Sequence, residues 1–148
     1  MDSDLDVITF DLQQALATPL LRTSVVFFKR QMWVYNLGVH DCSTDKGVIC
    51  MWDESMASRG SHGSCLLKFM KSRASSASHL ICYPDCCGGQ NRNMNIACLW
   101  LHVVSSGEYS YTTVDHMFMV SGHSHLPNNQ DFSSIEGAKC KTGSLPTF

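Results

Sequence analysis

In DVITFDL, residues 6–12, apolar and polar side chains alternate, setting Ile8, Phe10 and Leu12 against Thr9 and Asp11. A period of two is that of a strand, so Asp11 is expected on the face opposite Phe10. The following TPLLRTSVVFF is ambiguous: Leu20, Leu21, Ser24 and Val25 share a helical face, whereas SVVFF has strand composition. MWVYNLGVHD reads as a strand, CSTDKG as a turn and VICMWDES as a returning strand, together an antiparallel hairpin.

Farther on, SRGSHGSCLLKFMKSRASSAS holds a short helix with Leu66, Phe69 and Met70 on one side, followed by a serine-rich loop. HLICY is a continuous apolar run of the kind found in strands buried on both faces. QNRNMNIACLWLHVV is apolar around much of its circumference from Met94 to Val104, which predicts a helix packed into the core and ended by SSGE. YSYTTVDHMFMV, rich in β-branched and aromatic residues, predicts another strand. PNNQDFSSIEG then resembles a helix entry, with Asn128 as N-cap, Asp131 three residues on and Gly137 as stop. The segment from Ala138 to Phe148 has no periodicity and is expected to be a poorly ordered tail behind one domain over 5–137.

The 148 residues suffice for one core, and 44% hydrophobic against 16% charged residues fits a globular chain, too apolar for intrinsic disorder. A net charge of −2 sets this chain apart from domains that grip duplex DNA by electrostatics alone, so contact with nucleic acid would need metal ions or neighbouring segments. No run approaches the roughly 18 apolar residues of a membrane span, and the acidic start MDSDLD is unlike a signal peptide, so an intracellular chain is expected. Of the eight cysteines, Cys50, Cys65, Cys82 and Cys98 sit within apolar patterns, which favours reduced thiols over a disulfide scaffold.

Three opening strands as an antiparallel meander, then strands separated by helices, imply an α/β fold: a mixed sheet of about five strands with helices on both faces. This element order is that of the ribonuclease-H-like fold, in which the first and fourth strands are parallel neighbours at the sheet centre. Here those strands carry Asp11 and Asp85. Two adjacent carboxylates repel unless one is protonated or a divalent cation neutralises both, and Mg2+ and Mn2+ favour such oxygen ligands. A two-metal site of that kind clamps the attacking and leaving oxygens of a phosphodiester.

Taken together, ITFDLQQALATP, WVYNLGVHD, MWDESMASRGSH, YPDCCGGQNRN and GHSHLPNNQDFSSIE resemble a domain of unknown function found in eukaryotic, transposon-derived proteins and related to DDE-type transposase cores. The similarity spans roughly residues 5 to 137. It implies a ribonuclease-H-like nuclease or transposase core acting on DNA with Mg2+ or Mn2+, and hence a nuclear location. Asp11 matches the first-strand acid and Asp85 the acid before the glycine pair. The family's third acid falls on Asn129, whose neutral oxygen weakens a metal site, and Asp131 or Glu136 is the available substitute. Gly88, Gly89, Gln90, Asn91 and His123 are further pocket candidates.

Two other departures stand out: the chain is two residues short between His62 and Ser64, and Pro84 replaces a serine before Asp85. With the N-terminal portion of complete members also missing, the resemblance implies a truncated, degenerate copy of impaired activity, or a non-catalytic interaction module that keeps only the fold.

Each residue also has a plainer reading. Asp11 reads as a solvated strand residue, Asp85 as a turn acid capping the next helix, and Asp131 as a first-turn complement to the helix dipole. His123 and His125 read as loop residues. Cys82, Cys86, Cys87, His123 and His125 offer soft ligands for zinc, but no paired C-x-x-C spacing is present. DCCGGQNRN lacks the lysine and hydroxyl of a phosphate loop, and Cys86 or Cys87 as a nucleophile lacks an identifiable base.

Overall fold

The computed structural model describes residues 4–13, 15–18, 32–57, 62–73, 75–85, 91–118 and 132–133. Its elements are β1 (Leu5–Leu12), β2 (Leu16–Thr18), β3 (Met32–Asp41), β4 (Lys46–Asp53), α1 (His62–Ser72), β5 (His79–Pro84), α2 (Met94–Ser105) and β6 (Thr113–His116). The strands form one six-stranded mixed sheet. Across it run β4, β3, β1, β5 and β6, with β3 antiparallel to both β4 and β1, and β5 parallel to both β1 and β6.

Strand β2 is the sixth strand, which the sequence pattern did not predict. It lies against β3 in continuation of β1: Leu12 faces Leu37 and Leu16 faces Val34, so four steps along one strand answer three along the other. One extra residue on one side is a β-bulge, which bends the strand and sharpens its twist. The hairpin from β3 to β4 turns through Asp45, whose φ of 53° is left-handed, and Asp41 Oδ1 accepts from the Ser43 amide at 2.9 Å to hold the turn.

Register sorts the side chains. Phe10 faces Val39 on β3 and Pro84 on β5, and Ile8 faces Asp41 and Cys82, so these residues share one face. That face is apolar, with Ile8, Phe10, Leu37, Val39, Leu80 and Cys82 at 0% exposure. Each such side chain contributes about 1.5–3 kcal/mol by leaving water. Both described helices pack here. Trp100 of α2 lies 6.3 Å from the Phe10 ring, while α1 touches β3 and α2. Helices on both faces were expected; among the described residues both lie on one. Of the predicted helix near 128–137 only Phe132 and Ser133 are described, and they are helical.

Helix α1 buries Leu66, Phe69 and Met70, the side its sequence pattern selects. Gly63 stands at the α1–α2 contact, where a Cβ would meet Leu99 Cδ1 at 3.0 Å.

Helix α2 buries Ile96, Leu99, Trp100 and Val103, a single stripe at i, i+3, i+4 and i+7. Its apolar circumference predicted fuller burial, but Met94 and Leu101 are 76% and 68% exposed. Among the described residues, its neighbours lie on one side only. Asn93 caps the helix in extended conformation, its Oδ1 accepting from the Ile96 amide at 3.1 Å. Past the C-cap, Gly107 takes φ 70°, the left-handed exit that glycine adopts without strain. Replacing the cap, Asn93→Ala, is expected to cost about 1 kcal/mol, read from the urea midpoint.

Two further expectations are corrected. HLICY is not buried evenly: Leu80, Cys82 and Pro84 are buried, whereas His79, Ile81 and Tyr83 between them are partly exposed. The strand expected over YSYTTVDHMFMV is confined to Thr113–His116 among the described residues. Its first residues serve other contacts: Tyr111 donates to Asp6, and the amides of Thr112 and Thr113 donate to Ser78 O.

Candidate functional site

Strand β1 carries an acid near each end, and the two ends are treated differently. At its start Asp6 is buried beside Asp41 of β3, and one guanidinium serves both: Arg73 Nη2 lies 2.9 Å from each carboxylate. Ser75 and Tyr111 also donate to Asp6, and Tyr111 Oη does so at 2.7 Å. Burial and this hydrogen bond to a carboxylate push the Tyr111 phenol up. The acids of this end are satisfied by a cation and neutral donors, which marks them as structural.

Among the described residues, the far end of β1 lacks such compensation. Phe10 pairs with Pro84, and the Asp85 amide donates to Phe10 O at 3.2 Å, so Asp85 continues β5 beside Asp11. Asp11 lies on the face opposite Phe10, as its alternation predicts, across from Gly38 of β3. No Lys or Arg among the described residues pairs with Asp11. Burial, and secondarily the Asp85 charge, raise its pKa to about 6. Asp11 is half-buried, neither the fully solvated strand residue of the plainer reading nor an enclosed one.

Two amides flank the acids. Asn91, 3% exposed, donates from Nδ2 to Asp85 O at 2.8 Å and fixes the chain after β5. Asn36, fully buried on the Asp11 face of β3, donates from Nδ2 to Gln13 Oε1, while its own Oδ1 has no hydrogen-bond partner among the described residues. An orphaned buried acceptor is costly unless something electropositive reaches it. No family model, no curated protein and no solved structure matches the chain.

On the helix-covered side of the sheet, where Trp100 and His116 pack against Phe10 and away from Asp11, an open cleft of about 440 Å³ runs along the start of α2, walled by Asn91, Arg92, Asn93, Trp100, His116 and Phe118. The Arg92 guanidinium stands 4.3 Å over the Phe118 ring, and His116 meets Phe118 edge-on at 4.6 Å. Trp100 Nε1 donates to His116 Nδ1 at 2.7 Å, so the neutral ring carries its proton on Nε2. Burial lowers the His116 pKa and keeps that neutral form. Of the cleft residues the sequence reading named only Asn91, although VDHMF carried a further signal, its alternation putting His116 and Phe118 on one side. Asn36 had a signal as well, an amide inside the apolar run VYNLGV.

Of the predicted site residues, Asp11, Asp85 and Asn91 are brought together here. Gly88, Gly89, Gln90, His123, Asn129, Asp131 and Glu136 lie outside the described residues, as do Cys86, Cys87 and His125 of the zinc alternative. Cys82 points into the core at 0% exposure, its thiol pushed up by burial. Among the described residues no three or more His, Cys, Asp or Glu side chains form a metal-holding group, and no helix is long and apolar enough to cross a membrane.

Proposed function

We propose that the chain is a ribonuclease-H-like domain of transposon-derived type, descended from a metal-dependent DNA-processing core, with Asp11 and Asp85 as the surviving cation ligands and little or no remaining catalysis. One observation carries this reading. Two carboxylates sit side by side at the ends of the parallel central strands with no Lys or Arg among the described residues paired to them, and Asp11 is forced toward its protonated form. The strand order supports it: with β2 taken as the continuation of β1, the antiparallel trio of β1, β3 and β4 is joined by β5 and β6 parallel to β1, the arrangement of that fold class.

The donor set fits Mg2+ or Mn2+. Asp11, Asp85 and the orphaned Asn36 Oδ1 are all oxygen donors on one face, the preference of hard cations. A bound divalent cation would polarise a phosphodiester and stabilise charge on its oxygens. The chain's own contribution is placement: the β1–β5 pairing fixes the acids, and Asn91 holds the turn behind Asp85. The cleft on the other, helix-covered side of the sheet offers Phe118 as a stacking surface for an unpaired base, with Arg92 adding a cation. The impairment follows from Asn129 at the position of the third acid.

A thermal melt of the full chain in EDTA, Mg2+ or Mn2+ tests the site. At about five times Kd the cation is expected to add about 1 kcal/mol, near 3 °C, and Asp85→Ala to abolish the rise. A cooperative melt indifferent to metal overturns the ligand assignment and favours the alternative, an interaction module that keeps only the fold. Strong metal-dependent DNA cleavage, lost in Asp85→Ala, would instead refute the impairment.

A further inference from the structure

The cleft at the start of α2 encloses about 440 Å³, a volume within the range of small-ligand sites. Its inner wall is apolar and buried, with Ile96 and Trp100 at 3% and 8% exposure. Toward the rim stand two flat groups, the Phe118 ring, 41% exposed, and the Arg92 guanidinium 4.3 Å from its centre. Among the described residues that line the cleft, Arg92 bears the one full charge, since burial keeps His116 neutral, and none is a carboxylate. The walls therefore favour a planar, negatively charged ligand over a cationic one.

His116 narrows the chemistry. Trp100 donates to its Nδ1 at 2.7 Å, and the Phe10 and Phe118 rings lie 6.2 and 4.6 Å away, so the imidazole is held in one orientation. The Nε2–H left as its donor is buried and has no acceptor among the described residues. A buried donor without a partner carries a cost, which a ligand relieves if it enters deeply enough to present an acceptor there. The cleft thus asks three things of one ligand: a ring for Phe118, an acceptor on that ring for Nε2 and an anion for Arg92. The base of a nucleotide, with its ring nitrogens and carbonyls, meets the first two demands, and the phosphate meets the third.

We infer that this cleft is a nucleotide site, in which the base stacks on Phe118 and accepts from His116 Nε2 while the phosphate lies against Arg92. The inference rests on the nucleic-acid part of the proposed function and deepens it, but it does not depend on the acid pair, which occupies the other side of the sheet. A free nucleoside monophosphate and one nucleotide of a single strand present the same chemistry. A duplex does not, because its bases are paired and stacked inside.

The full chain, labelled with nitrogen-15 and kept in EDTA throughout, is titrated with deoxyadenosine monophosphate while the indole N–H signals of its three tryptophans are followed by NMR. The Trp100 signal is expected to shift saturably, because its N–H is bonded to the imidazole that takes the base, while the Trp52 signal on β4 stays. Ribose 5-phosphate, which lacks the base, should leave Trp100 unmoved. Phe118→Ala should weaken binding about fivefold or more, the loss of one stacked base, and Arg92→Gln roughly threefold or more. Both side chains are exposed, so the urea midpoints of these variants should stay near that of the parent. A single-stranded deoxyadenosine octamer separates the sources: half-saturation below that of the monophosphate assigns a strand, and otherwise a free nucleotide. Absence of a saturable Trp100 shift with either ligand overturns the inference, as does ribose 5-phosphate matching the monophosphate or affinity undiminished in both variants. The Trp100 shift is read on the unaltered chain, so it decides even where a variant fails to fold. With no metal present, such a failure leaves the cation-dependent melt standing, and a melt indifferent to metal leaves the nucleotide site standing.

Discussion

Arg73→Ala is expected to destabilise the protein by about 3–5 kcal/mol, the loss that follows when a buried charge is stripped of its partner. Arg73 is the one cation shared by Asp6 and Asp41, and all three side chains are nearly withdrawn from solvent, at 12%, 9% and 7% exposure. Removing it leaves two carboxylates at the edge of the core with their mutual repulsion unscreened. Ser75 and Tyr111 still donate to Asp6, which moderates the loss there. Arg73→Lys keeps the charge but not the planar fork, so it should recover part of the stability. Urea unfolding of the two variants beside the parent chain measures both. A loss below about 1 kcal/mol in Arg73→Ala would show that the acids relax into water instead.

The second large effect has the opposite sign. Asp11 has a pKa of about 6 in the folded chain against an ordinary value of 3.8, so the folded state holds its proton more tightly than the unfolded state does. Its contribution to stability is therefore full below about pH 4 and lost as pH rises through 6. At neutral pH and without metal, Asp11 costs on the order of 2 kcal/mol, allowing for solvent screening at a partly open site. Asp11→Asn should then stabilise the chain at pH 7 in EDTA by about that amount and flatten the decline between pH 4 and 7. It should also abolish any response to Mn2+, because one ligand is gone. Urea midpoints across this range, with and without metal, give all three quantities. An Asp11→Asn chain no more stable than its parent at pH 7 would show that the carboxylate is not strained.

The acid pair was legible because two local signals converge: period-two alternation put Asp11 on the face away from Phe10, and the run ending in Asp85 had the length and composition of a strand. The parallel pairing of those strands came from element order, a weaker signal that the β1–β5 register bears out. Helix α1 was legible for the same reason, since Leu66, Phe69 and Met70 repeat at helical spacing. Helix α2 shows the limit: Met94 and Leu101 belong to an apolar stretch, yet an apolar residue is buried only where a neighbour covers it. Arg73 was invisible inside a serine-rich stretch because its partners lie on β1 and at the end of β3.

The Tyr111–Asp6 hydrogen bond closes over 105 residues, and Arg73 reaches Asp6 over 67. Such separations are slow to close, because the chain entropy of the loop must be lost before the contact returns anything. During synthesis β1 emerges before the other described strands, yet Asp6 waits for Arg73 and then for Tyr111 to leave the ribosome. Completion of the β1 end is thus tied to nearly the last described strand, so the native sheet forms late and as a whole. Until then a nascent chain carries the apolar side of its central strand unpaired, which makes this interval the one in which a chaperone has most to protect.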